Sequence, residues 1–310
     1  MPNHRMDFWN LTIKIIFLSQ TTAGVLGNFS LISYYLFHCG ERILKPRDLI
    51  FVNLMAANAL VVLSTGVPHT MAALGLKKFL NEIGCRLVLY IERVARSVSI
   101  STTCLLSVFQ AFTIRRKESC CKDQKLKDAK YIGCYIFSLW FLYLLVNFFF
   151  CAYTLLKRHN KNLTGNQDFG YCFIGGYDEL NGLLYAVLVL CPEIFFSVVI
   201  SWSSSSMIVI LYRHKQRVQH IHNTHVSSRN SPESRATKNI LTLVSTFLAF
   251  YTLSSILRGC ISLLYTHTRW LVNITHLTSL CFPSFGPFVL MNHYSVMPRL
   301  SLVWIRNKTC

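Results

Sequence analysis

The stretch CRLVLYIERVARSVSISTTCLLSVFQAFT, Cys85 to Thr113, is long enough to cross a bilayer and yet carries Arg86, Glu92, Arg93 and Arg96. A charge at the centre of a membrane helix costs at least about 2.5 to 3.5 kcal/mol, so each of these side chains needs a partner, water or a ligand. At about 100° per residue, with Arg86 set at 0°, Glu92 falls near ~240°, Arg96 near ~280° and Arg93 near ~340°. All four share one sector of roughly 120°, which predicts a membrane helix with a single charged face. A rise of about 1.5 Å per residue puts Arg96 roughly 16 Å below Cys85, near the middle of a hydrocarbon core about 30 Å thick. That depth implies a water-filled cavity open to the outside.

The rest of the chain fits a membrane setting. With 310 residues, 52% of them hydrophobic and only 14% charged, and a mean hydropathy of +0.39, it is too apolar for an ordinary soluble domain. Six further apolar runs, at about 11–37, 48–74, 131–156, 183–212, 239–265 and 271–294, flank the opening stretch. The expectation is an all-α membrane protein, a seven-transmembrane-helix bundle forming one domain over 1–310. Residues 1–10 are the extracellular start, 213–238 the third cytoplasmic loop and 295–310 a cytoplasmic tail. The apolar run after the polar start is long enough to span, so a cleavable signal is not expected.

Charge sets the orientation. The net charge of +18 is segregated by loop, as membrane topology requires and nucleic-acid binding does not. Of the 31 Lys and Arg residues, 19 fall in the turns after spans one, three and five and in the tail, against 8 at the start and in the other three loops. The N-terminus is therefore outside. Asn10-Leu11-Thr12 and Asn162-Leu163-Thr164 then face the glycosylating side, making Asn10 and Asn162 candidate acceptors. Cys85 and Cys172 also face the oxidising side and are candidates for a disulfide. Most of the twelve cysteines read as apolar packing, without C-x-x-C or zinc spacing.

Two more charges lie inside spans, Glu193 after Pro192 and Arg258 toward the far end of the sixth. Glu92 and Arg96 stand at i, i+4, where they can close an internal ion pair. Within the membrane, however, Arg93, Arg96 and Arg258 face only Glu92 and Glu193, leaving at least one positive charge for water or a ligand. Glu92, Arg93, Arg96, Glu193 and Arg258 are accordingly the candidate ligand-binding residues, with Tyr90, Phe195 and Tyr265 supplying apolar wall. The basic helix ends Arg115, Arg116, Lys117, Arg213, Lys215 and Lys238 are candidate contacts for an acidic cytoplasmic partner, although the positive-inside rule alone accounts for each. No G-x-S-x-G, H-E-x-x-H, P-loop or G-x-G-x-x-G spacing occurs, so neither an enzyme nor a cofactor or metal site is expected.

Seven spans, an outside N-terminus and the two cysteines are similar to a G-protein-coupled receptor. More closely, GLKKFLNEIGC, RVARSVSISTTCLLSVFQAFTI, LYRHKQRVQHIH, SSRNSPESRATKNILTLVSTF, FYTLSSI and CFPSFGPFVLM resemble the vomeronasal type-1 pheromone receptors over nearly the whole chain. The resemblance implies a plasma-membrane receptor that detects small pheromone-like molecules and activates an inhibitory-type heterotrimeric G protein. Departures from the broader rhodopsin-like pattern are Phe112-Thr113-Ile114 where Asp-Arg-Tyr is usual, Asn58 where the second helix often has Asp, no Pro in the sixth helix, and Gly286-Pro287 for Asn-Pro. These fit the vomeronasal family. Within that family a His is common where this chain has Glu92. A bitter-taste receptor, or a transporter or channel, is the alternative.

Overall fold

The computed structural model describes residues 2–39, 46–76, 78–115, 122–160, 166–168, 171–175, 183–184, 186–221, 232–264 and 269–293. Among them are seven long helical segments. α1 is Pro2–Cys39, and α2 covers Pro46–Ala73 as an α-helix, a π-helical turn and a second α-helix. α3 is Glu82–Arg115 and α4 is Lys122–Asn160. α5 covers 186–221 and opens on a π-helical turn, while α6 is Pro232–Leu264 and α7 is Arg269–His293. Six of them are long and apolar enough to cross a membrane, and α3, with its charges, is the seventh.

α7 returns against α1 and packs on α6, while α3 packs on α2, α4 and α5. Every residue from Val94 to Cys104 is buried, so α3 has no outward face over three turns. Its polar residues bond to its neighbours: Ser99 donates to Asn58 Oδ1 at 2.8 Å, and Thr102 accepts from Asn53 Nδ2 at 2.7 Å. Trp140 of α4 donates to Asn53 Oδ1 at 2.7 Å, and Ser101 meets the Tyr143 hydroxyl at 2.6 Å. In a bilayer, where lipid tails are as apolar as leucine, such bonds fix which helix sits beside which.

Prolines explain the irregular places. Pro68 and Pro192 lack an N–H, and each follows a π-helical turn, Val62–Gly66 and Ala186–Leu190, that absorbs the broken ladder. The turns re-aim the residues beyond them, so that His69 and Glu193 are both buried. In α7, Pro287 cannot donate to the carbonyl of Pro283. Asn28 Nδ2 takes its place at 2.8 Å from that oxygen. Close approach of α1 makes this possible: a Cβ on Gly27 would lie 3.0 Å from Pro287, and one on Gly24 would clash with Val62 at 2.7 Å.

Several expectations change. The outer loop between α4 and α5, which an all-α expectation leaves without strands, carries an antiparallel hairpin, β1 Asn166–Asp168 paired with β2 Phe173–Gly175. The start 1–10 is helical from Pro2, and α5 and α6 run into the 213–238 loop from both sides, to Ile221 and from Pro232. The tail 295–310 lies outside the described residues, as do Arg116, Lys117, Asn162 and Tyr265. Asn10, Arg115, Lys215 and Lys238 lie on described helices, but their side chains are outside the described set. Arg213 is exposed at the inner end of α5.

Candidate functional site

Two ion pairs span the outer half of the bundle. Arg96 Nε donates to Glu193 Oε1 at 2.8 Å, with both side chains at most 4% exposed. Arg258 Nη2 donates to Glu92 Oε1 at 2.5 Å, with the arginine 14% and the glutamate 2% exposed. The i, i+4 pairing of Glu92 with Arg96 is therefore replaced by two pairs between helices. Geometry favours this: a short i, i+4 link satisfies one bond, whereas a buried guanidinium has five N–H groups to place.

Serines take the rest. Arg96 Nη2 donates to Ser254 Oγ at 2.8 Å and Ser255 Oγ at 2.9 Å, and Nη1 reaches Ser279 Oγ at 3.4 Å. Ser279 also accepts from Arg258 Nη2 at 3.0 Å, so one hydroxyl of α7 joins the two arginines. Ser255 in turn donates to Glu193 Oε2 at 2.5 Å. The Tyr251 ring lies 4.2 Å from the Arg96 guanidinium carbon, and its hydroxyl donates to the Arg96 carbonyl at 2.5 Å. One arginine of α3 thus holds α5, α6 and α7.

The single charged face divides. Arg86 pairs with Glu82 one turn earlier at 2.9 Å, near the outer end of α3. Arg93 turns toward α4, its guanidinium 4.5 Å from the centre of the Phe150 ring. This cation–π contact gives the third arginine an aromatic partner on α4. Tyr90 also faces α4, donating to the Leu144 carbonyl at 2.9 Å, and does not line the ion pairs. Phe195 is 63% exposed. It stands two residues from the inward Glu193, about 200° around the helix, and so belongs to the outer surface of α5.

Above the Arg258–Glu92 pair lies an aromatic box that sequence reasoning missed. His69 of α2 and His276 of α7 have ring centres 4.0 Å apart, and Phe17 of α1 stacks on the other side of His69 at 5.4 Å. Tyr171, next to the disulfide, caps the box edge-on to His69 at 5.0 Å and is fully buried. Burial holds its phenol well above the ordinary tyrosine range; the Glu92 carboxylate raises it further, while Arg258 opposes. The Cys85–Cys172 disulfide, with Cα atoms 5.9 Å apart, pins this loop to the first turn of α3. Leu80 N donates to the Tyr171 carbonyl at 3.3 Å, a second tie.

Some of these residues had a signal. Ser254 and Ser255 stand as a pair inside an apolar run, and a buried arginine needs neutral acceptors as much as a carboxylate. His69 and His276 had none, because they are 207 positions apart and only the π-helical turn before Pro68 brings the first inward. Among the described residues no group of three or more His, Cys, Asp or Glu side chains is placed to hold a metal ion.

A central polar helix, interhelical ion pairs and a disulfide-pinned outer loop define a seven-helix membrane receptor. The model of the vomeronasal organ pheromone receptor family matches residues 11–301, and the chain belongs to that family. It is 46% identical to vomeronasal type-1 receptor 4 of Homo sapiens over 290 residues, covering 93% of this chain and 96% of that protein. It is 43% identical to the human vomeronasal type-1 receptor 3 over 293 residues, covering 94% of each. A more distant relative, olfactory receptor class A-like protein 1 of Danio rerio, is 27% identical over 285 residues, or 91% of this chain and 89% of that protein. The protein is a vomeronasal-type chemosensory receptor, a multi-pass protein of the plasma membrane. Its relatives are receptors, and in general terms the family takes a small-molecule ligand and a G protein.

Proposed function

We propose that the receptor senses small, volatile or semi-volatile pheromone-like molecules in the outer half of the bundle and activates an inhibitory-type heterotrimeric G protein. One observation carries the reading: Arg96 ties α3 to α5, α6 and α7 through Glu193, Ser254, Ser255 and Ser279, so its bonds depend on the relative position of four helices. A ligand that binds better to one packing than to another shifts the equilibrium by that difference in affinity. Glu92 and Arg258 lie on the outward side of the same network, where a ligand arriving from outside meets them before Arg96 and Glu193. α5 and α6 carry the displacement inward, with the bend at Pro283 and Pro287 of α7 as a further hinge. Arg213 and the other basic helix ends supply the surface for the G protein, whose acidic groups they attract.

The test is nucleotide exchange by a purified inhibitory-type G protein, with receptor in lipid nanodiscs and a panel of volatile compounds. Ligand-dependent exchange is expected, along with a loss of response in Glu92→Gln and Glu193→Gln receptors that reach the surface. Unchanged responses in both variants overturn the site. Ligand-gated flux in liposomes without any G protein overturns the receptor mechanism in favour of a transporter or channel.

A further inference from the structure

The box above the ion pairs carries chemistry that the helix network does not use. His69 and His276 are 5% and 6% exposed, and among the described residues His69 Nε2 and His276 Nδ1 have no hydrogen-bond partner. A neutral imidazole offers one donor and one acceptor, and a buried polar atom left unpaired costs about 1 to 3 kcal/mol. Two such atoms, on rings 4.0 Å apart and packed with Phe17 and Tyr171, leave hydrogen-bonding capacity vacant among apolar side chains. The charges beneath are already paired, Glu92 with Arg258 and Glu193 with Arg96. An ionised ligand entering here breaks one of these pairs or adds an unmatched charge away from water, and either is expensive. A neutral ligand with an oxygen incurs neither penalty. The outward side of the box is closed by Tyr171, which is fully buried and sits on the loop rather than on a spanning helix.

We propose that the His69–His276 pair, beneath Tyr171, is a ligand subsite for an uncharged molecule: an apolar skeleton bearing a ketone or alcohol oxygen that bonds the free imidazole nitrogens. The subsite lies between α2 and α7, apart from Glu193 on α5. The proposal rests on the small-molecule sensing described above and narrows its chemistry. His276 stands one helical turn outward of Ser279, the hydroxyl that joins Arg96 and Arg258, so a ligand bound here presses on the network from its outer side.

Four probes on one skeleton test it: cyclohexyl methyl ketone, 1-cyclohexylethanol, cyclohexanecarboxylate and 1-cyclohexylethylamine. Binding is read by saturation-transfer NMR on the full receptor in nanodiscs, for wild type, His69→Phe, His276→Phe and His276→Asn, with thermal melting to show that each is folded. The ketone and alcohol are expected to bind wild type at least about tenfold more tightly than the two ions, and to weaken by about tenfold in each Phe variant. Phe keeps the ring and removes the nitrogens. His276→Asn restores an amide and is expected to recover part of the loss, which also decides the matter should a Phe variant fail to fold. Equal binding of the carboxylate or the amine, undiminished binding in the variants, or no binding by any probe overturns the subsite. Nucleotide exchange measured alongside separates the two readings: binding without exchange counts against the sensing function and leaves the subsite standing. Exchange evoked by an ionised probe alone does the reverse.

Discussion

α3 and α4 are neighbours with opposite relations between composition and burial. α4 is the more apolar, its span Ala129–Tyr153 having a mean hydropathy of 2.0, yet only 22% of that span is buried in the protein. Phe137, Phe141, Phe148 and Phe149 all point outward, each at least 59% exposed. α3 carries the charges and hydroxyls and is buried without interruption from Val94 to Cys104. In water this arrangement would be inside out. In a bilayer the solvent is itself hydrocarbon, so apolar side chains gain little by turning inward while polar ones must find protein partners. Burial in this protein therefore follows polarity, and α3 is central because its polar groups have nowhere else to go.

The sharpest way to break this contrast is at Arg96. Arg96→Met leaves the Glu193 carboxylate buried without its guanidinium and releases three serines. It is expected to cost about 3 to 5 kcal/mol, read as a loss of surface receptor and a lower melting temperature. The double variant Arg96→Met/Glu193→Met should recover much of that loss; failure to recover means that Arg96 acts through something other than its ion pair. Next comes the reciprocal experiment on α4. Phe141→Arg places the same side chain at the middle of a span that faces largely outward, and insertion is expected to suffer by about 2.5 to 3.5 kcal/mol, measurable in a glycosylation-reporter insertion assay. Insertion as efficient as wild type means that this face of α4 is not against lipid.

Smaller effects sharpen the boundary between the helices. Tyr143→Phe removes only the hydroxyl that meets Ser101, for an expected loss of about 0.5 to 1.5 kcal/mol in thermal unfolding. A loss several times larger means that the bond orders more of the α3–α4 contact than these two residues. Phe137→Leu, two turns before Leu144 on the lipid side, is expected to stay within about 0.5 kcal/mol of wild type. A marked loss there points to an unseen partner on the α4 surface.

The legibility of the molecule divides along the same line. Helix number was readable because span length is a local quantity, and α3, the one long helix among the described residues that hydropathy leaves out, was betrayed by its charges. The disulfide was readable once topology put Cys85 and Cys172 on one side. Partners inside the bundle were not. Glu92 and Arg96 face the bundle interior, whereas Tyr90 and Arg93 turn to α4 and Phe195 turns outward, because helix rotation follows from packing that no single span encodes. The fit of Asn28 to the carbonyl that Pro287 leaves open was equally invisible, since it joins positions 255 residues apart.

By itself the sequence determined that this chain crosses the membrane seven times with its N-terminus outside and carries charge at bilayer depth in the third span. These follow from length, periodicity and the energy of placing charge in hydrocarbon. Only the tertiary structure decided that Arg96 takes Glu193 and Glu92 takes Arg258, and that two distant histidines meet under Tyr171. Such pairings depend on where separate helices stand relative to one another, and that is fixed by the whole set of small residues, prolines and buried hydrogen bonds acting together.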